Sequence, residues 1–197
     1  MTKSNPTVLV VDFGAQYAQL IARRVREARV YSEIVSHDLT AEEVADLHPA
    51  GIIFSGGPKS VRIDGAPQID PAIYELDIPI LGICYGAQLI AQQLGGTVSQ
   101  FEAGEYGRTS LQVAGGDLLS DQPNEQDVWM SHFDCITQTP AGFTITASTK
   151  NAPVAAFENQ RIFGVQYHPE VSHTAYGQQT IEKWLDLAGI KKTWTMT

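Results

Sequence analysis

Apolar residues fall in short unbroken runs along the first half of the chain. Thr7–Val11 (TVLVV), Gly51–Phe54 (GIIF) and Ile80–Ile83 (ILGI) show no polar alternation. That is the pattern of strands covered on both faces of a parallel sheet. Between these runs the spacing becomes helical. In Tyr17–Ala28, Leu20, Ile21 and Val25 share one face, and Arg23, Arg24 and Arg26 lie elsewhere, which predicts an amphipathic helix. Val30–Val35 predicts a second strand. Thr40, with Glu43 three residues on, predicts a capping box opening another helix. A helix is expected around Pro67–Leu76. After Gly86 the helical spacing of Ala87, Leu89, Ile90, Ala91 and Leu94 runs to Gly95–Gly96, a helix-ending pair. Strand and helix thus alternate at the spacing of right-handed βαβ units.

Beyond Gly96 the texture changes. Thr97–Phe101, Thr109–Val113, Val128–Ser131, Thr144–Ser148, Val154–Glu158 and Ile162–Tyr167 are short strand candidates, separated by Gly, Pro, Asn or Asp. Ala175–Ala188 closes as a helix, with Ile181, Trp184, Leu185 and Ala188 on one face. The expected fold is α/β: an open, mostly parallel central sheet flanked by helices, with an antiparallel β-rich part completing the same sheet. A single domain is expected over residues 1–197, with a core at about 7–189 and, over 190–197, a tail or the start of an interdomain linker. No repeat, linker or low-complexity tract interrupts it.

Composition narrows the function. The 197 residues carry a net charge of −9, which disfavours a general nucleic-acid or anionic-membrane surface. With 43% hydrophobic residues the chain can bury an ordinary core, yet no run approaches the ~20 apolar residues of a membrane span. The start, MTKSNPTVLVVD, enters a strand without the pattern of a signal peptide, so a cytoplasmic setting is expected. In that setting the two cysteines, Cys84 and Cys135, are expected as free thiols.

Chemistry concentrates at one junction. Gly82-Ile83-Cys84-Tyr85-Gly86 joins a buried strand to a helix. It has the G-x-nucleophile-x-G form of a nucleophile elbow, with Cys in place of Ser. The turn leaves no room for side chains on its flanks, and the helix start beside the sulfur favours a thiolate. A cysteine nucleophile needs a base. Of His37, His48, His132, His168 and His173, His168 is best placed, at the end of the Ile162–Val165 run. In extended chain, residues two apart point to one side, so Glu170 can lie beside His168 and orient its ring. His-Pro-Glu alone is a weak signal; its weight comes from the elbow. Acyl transfer also needs oxyanion donors. The N–H of Tyr85 is one candidate, and Gly57 in Ser55-Gly56-Gly57-Pro58 is the other, at the end of a neighbouring strand.

These motifs resemble those of class I (triad) glutamine amidotransferases. Gly82–Gly86 with Gln88 is similar to the family's nucleophile motif, His168-Pro169-Glu170 to its second motif, and Ser55–Pro58 to its oxyanion loop. The resemblance runs from about Val8 to Leu187. Asp12-Phe13-Gly14-x-Gln16-Tyr17-x-Gln19-Leu20-Ile21-Ala22-Arg23-Arg24-Val25-Arg26-Glu27, the run from His168 to Gly177, and Trp129-Met130-Ser131-His132 resemble the branch that serves GMP synthetase. The resemblance implies catalytic Cys84, His168 and Glu170. It implies that Gly57 and Tyr85 serve the oxyanion, and that Gln88, Ser131, Phe133 and Asp134 hold L-glutamine. It implies ammonia delivery to an ATP-pyrophosphatase (synthetase) domain, in cis or as a separate subunit, which converts XMP to GMP. No metal or cofactor is implied in this domain; ATP and magnesium belong to the partner. Lys59 and Arg62, with the basic face of Arg23, Arg24 and Arg26, are candidate partner contacts, each taken singly being expected as a solvated surface charge. Two departures stand out. Phe133 occupies a position where the family usually has Gly, with Cys135 two residues on. No Ser-Gly-Gly-Val-Asp-Ser pyrophosphatase loop is present. The alternatives are an amidotransferase for another acceptor, a stand-alone hydrolase that uses its cysteine on γ-glutamyl compounds, or a non-catalytic regulatory domain on the same fold.

Overall fold

A computed structural model describes residues 5–14 and 16–195. One nine-stranded sheet runs through it, in the order β2-β1-β3-β4-β9-β8-β7-β5-β6. Strands β1 (Thr7–Asp12), β2 (Tyr31–Ser36), β3 (Gly51–Phe54), β4 (Ile80–Ile83) and β9 (Ile162–Val165) are mutually parallel. Strands β8 (Ala156–Glu158), β7 (Thr144–Ser148), β5 (Thr97–Val113) and β6 (Glu125–Gln138) extend the sheet antiparallel. The β-rich half therefore does complete the first sheet.

The unbroken apolar runs are explained by two cores, one on each face. Alternate residues of β1 divide between them: Val8 and Val10 join one, Leu9 and Val11 the other. Helices α1 (Tyr17–Glu27) and α4 (Gly177–Leu187) cover the first face through Ile21, Val25, Ile181 and Trp184. Helices α2 (Ala41–Asp46) and α3 (Tyr85–Gln93) cover the second through Val44, Leu89 and Ile90. The capping box at Thr40 and Glu43 forms as its spacing predicts.

Two expectations need correction. The helix expected over Pro67–Leu76 is only a 3-10 turn, Pro71–Leu76, opened by Asp70 accepting from the N–H of Ala72 and closed by Asp77 at φ 57°. The candidates Thr97–Phe101 and Thr109–Val113 are one strand, β5, hidden in the sequence by Gly104 and Gly107, both at positive φ. A register shift between Gln100 and Glu105 carries the strand through this stretch against β6. Along β6 the buried residues alternate as Gln126, Val128, Met130, His132 and Asp134. The apolar row thus turns polar as it reaches the carboxyl edge of β4.

Candidate active site

Cys84 stands at the sharp junction of β4 and α3, with φ 51° and ψ −106°. A non-glycine residue in that region is strained and persists because its surroundings over-determine it. Its N–H donates to the Val165 carbonyl at 2.9 Å, extending the β4–β9 pairing into the turn. The flanking glycines are sterically required. A Cβ on Gly82 would lie 2.5 Å from Ile90 Cδ1, and one on Gly86 would overlap the Phe54 carbonyl. The sulfur is nearly enclosed, at 3.5 Å from the Ser131 carbonyl and 3.6 Å from Gln166 Nε2.

His168 follows β9 and closes on this sulfur. Its N–H donates to the Trp129 carbonyl at 3.0 Å, and its own carbonyl accepts from Thr174 Oγ1 at 2.7 Å. Nδ1 lies 2.6 Å from Glu170 Oε1, and both side chains are buried. A carboxylate only accepts, so this bond assigns the proton to Nδ1 and leaves Nε2 for the sulfur. Burial opposes the charged imidazole, but the Cys84 sulfur and the Glu170 carboxylate outweigh it and raise its pKa. Arg24 on α1 donates to the Glu170 carbonyl at 2.9 Å, and the Tyr17 ring tilts over the imidazole at 5.0 Å.

The loop after β3 reaches the same place. Gly86 N–H donates to the Ser55 carbonyl, which ties the loop to the elbow. A Cβ on Gly56 would lie 2.9 Å from His168 Cε1, and one on Gly57 would meet the Phe13 carbonyl at 2.9 Å and Tyr85 Cγ at 3.3 Å. Neither the Gly57 nor the Tyr85 N–H meets a protein acceptor among the described residues. Burial pushes the Tyr85 phenol up to about 12, so it stays neutral.

These groups share a pocket of about 580 Å³ with Gln88, Ser131, Phe133 and Asp134. Gln88 Nε2 donates to the Asp134 carbonyl at 2.9 Å and to Gln166 Oε1 at 3.1 Å, so it braces the pocket wall. The Asp134 carboxylate accepts from Ser60 and from Arg62, the latter at 3.1 Å. Phe133 is half-exposed at the mouth, and its backbone is not in the left-handed region. A side chain there is therefore accommodated without strain. Cys135 is a free thiol pushed towards its neutral form by burial and by Glu105 and Asp134.

Arg23 and Arg24 pair with Glu27, and Arg26 donates to the Ser32 carbonyl and lies over the Tyr31 ring. Arg24 and Arg62 point into the site's framework.

The family model for class-I glutamine amidotransferases matches residues 9–187. The chain belongs to the class I glutamine amidotransferase family. This amidotransferase is 59% identical over 191 residues to the GMP synthase [glutamine-hydrolyzing] of Mycobacterium leprae (strain Br4923), covering 95% of this chain and 36% of that relative. It is 56% identical over 198 residues to the corresponding protein of Nocardia farcinica (strain IFM 10152), covering 99% and 38%. The chain thus spans little more than a third of the curated relatives it matches. Among solved structures, a Thermoplasma acidophilum protein assigned as one subunit of GMP synthase superposes with a TM-score of 0.82 at 32% identity, over 94% of this chain and 95% of that one. A glutamine amidotransferase of Thermotoga maritima, at 19% identity and a TM-score of 0.70, shares the fold over 93% of this chain and 82% of that one.

Sequence reasoning missed three participants in this amidotransferase site. Gln166 contacts Cys84 and Gln88, and the two-residue period that links His168 to Glu170 points back to it. Glu105 receives His132 Nε2 at 2.8 Å and Thr149 Oγ1 at 2.7 Å, while His132 Nδ1 meets the Asp134 carbonyl at 2.6 Å. No local pattern announces Glu105, because its partners come from β6 and the loop after β7. Ser60 likewise lines the pocket and bonds Asp134, a contact across 74 residues.

Proposed function

We propose that this chain hydrolyses the side-chain amide of L-glutamine through a Cys84 thioester. In this reading the ammonia goes to an ATP-pyrophosphatase domain that converts XMP to GMP. The observation that carries it is a strained cysteine elbow facing a buried histidine whose far nitrogen is held by a carboxylate at 2.6 Å. His168 takes the Cys84 proton, and the sulfur attacks the amide carbon. The oxyanion gathers at the N–H groups of Gly57 and Tyr85, a position where each donor is worth about 3–4 kcal/mol. His168 returns the proton to the leaving nitrogen and ammonia departs. Water then gives a proton to His168 and attacks the thioester. The C–S bond breaks, glutamate leaves, and the sulfur regains its proton. Glu170 holds the ring and offsets its charge through both steps.

The acceptor follows from kinship with glutamine-hydrolysing GMP synthases. ATP and magnesium belong in this reading to the partner domain, and this domain uses no cofactor. The test is steady-state glutamine hydrolysis by the chain alone and with an added synthetase domain bearing its nucleotides. A rise in kcat on addition supports partner-gated ammonia delivery, because misaligned donors weaken transition-state binding more than substrate binding. A full rate without the partner would favour the stand-alone hydrolase.

A further inference from the structure

Among the described residues, the pocket that holds Cys84 is lined by a single acidic residue, Asp134, and by two permanent cations, Lys59 and Arg62. Asp134 has a 4% exposed side chain, and its ion pair is with Arg62, whose side chain is 37% exposed. The guanidinium is only partly committed. Nε and one Nη2 bond go to Asp134 at 3.2 and 3.1 Å, and Nη2 also reaches Gln100 Oε1 at 3.3 Å. Nη1, with two N–H groups, meets no acceptor among the described residues. The loop that presents Arg62 is pinned: Ser60 Oγ accepts from the Arg62 N–H at 3.1 Å and donates to Asp134, and Val61 is buried.

Ser131, whose carbonyl touches the Cys84 sulfur, stands three residues before Asp134 on β6. The acid is therefore within about 10 Å of Ser131 along the strand. That span is close to an attack distance of about 3 Å, a glutamine side chain and one hydrogen bond placed end to end.

We propose that Arg62 is a specificity-determining residue that receives the α-carboxylate of the amide substrate while Asp134 receives its α-ammonium. The inference rests on the glutamine reading above and adds a means of recognising a zwitterion. An α-amino acid inserted at this ion pair sets four charges in alternation and adds no net charge to the pocket. An arginine fork suits a planar carboxylate better than a lysine does. A substrate lacking the carboxylate leaves the uncommitted Nη1 side of the guanidinium without its acceptor, and so binds more weakly.

The test compares L-glutamine with L-glutaminamide, which keeps the γ-amide and α-ammonium but replaces the carboxylate. Hydrolysis of the γ-amide is measured with the synthetase domain and its nucleotides added. Arg62→Gln is expected to raise KM for glutamine roughly 10- to 100-fold with kcat nearly kept, and to leave glutaminamide almost unchanged. Arg62→Lys should recover part of the preference, and Lys59→Gln should keep it. Equal losses on both substrates would reduce Arg62 to a brace for Asp134 and overturn the inference. A lower KM for glutamine in Arg62→Gln would also overturn it, since the guanidinium would then compete with the substrate's ammonium. Loss of preference in Lys59→Gln would move the role to Lys59. A wild-type protein that hydrolyses neither amide would instead overturn the glutamine reading, and this inference with it.

Discussion

Gly56 offers a sharp test of how the site is held. A Cβ added there would lie 2.9 Å from His168 Cε1 and 3.7 Å from Cys84 Cβ. Ordinary carbon contacts are about 3.5–4.0 Å, so something must move by about 0.6 Å or more. The imidazole cannot easily yield. It is fixed by Glu170 at 2.6 Å, by its backbone bonds to Trp129 and Thr174, and by the Tyr17 ring above it. The loop must give way instead, and it carries the Gly57 N–H. Displacing one oxyanion donor by this amount, when its full removal costs about 10²–10³ in kcat, predicts a loss of about 10- to 100-fold for Gly56→Ala. The pocket wall formed by Gln88 and Asp134 is untouched, so KM should change less than threefold or so. Overpacking should cost about 1–3 kcal/mol, which lowers Tm by a few degrees. Gly115→Ala is the control, because a Cβ there meets nothing within 4 Å. Steady-state glutamine hydrolysis and thermal melts on both variants decide the matter. A Gly56→Ala protein with kcat within twofold of wild type would refute the claim that this loop and His168 are mutually rigid.

Cys84 is strained at φ 51°, so Cys84→Gly should melt later than Cys84→Ala by the equivalent of about 1 kcal/mol, while both lose glutamine hydrolysis. Cys135→Ala should retain most activity, because that thiol lies in β6 away from the elbow; equal loss in both cysteine variants would reverse the assignment. Glu170→Gln should slow hydrolysis less than His168→Ala, since the carboxylate orients a ring that itself moves the proton; the opposite order in kcat would exchange their roles. The folded-state pKa of His168 is raised above its unfolded value, so its contribution to stability is fully present below about 6.5 and is lost as pH rises through the folded value. Denaturant midpoints at pH 7, 8.5 and 10 should therefore fall more steeply in wild type than in Cys84→Ala, which lacks the sulfur that does most to raise that pKa. Parallel pH profiles would contradict the coupling.

Much of this protein is legible in its sequence because the signals are local. The runs at β1, β3 and β4 are apolar without alternation since both sheet faces are covered, and Val8/Val10 against Leu9/Val11 shows the division. The elbow is readable because its G-x-Cys-x-G pattern is local, although the clash that requires glycine at 86 is with Phe54 of β3. His168 and Glu170 are two apart in extended chain, so their juxtaposition is a matter of backbone period. What tertiary structure alone decided are the contacts made across long separations. Gln166 reaches Cys84 over 82 residues, Arg24 reaches the Glu170 carbonyl over 146, and Arg62 reaches Asp134 over 72. The same holds for the arginines of α1, whose bonds to Glu27 and to the Ser32 and Glu170 carbonyls no sequence pattern announces. The continuous β5 is another case: its central glycines interrupt every local strand signal, and only pairing with β6 keeps it extended. Sequence period determines which way a side chain faces along its own element; which partner it finds depends on the order in which the strands assemble, and that order is a property of the whole sheet.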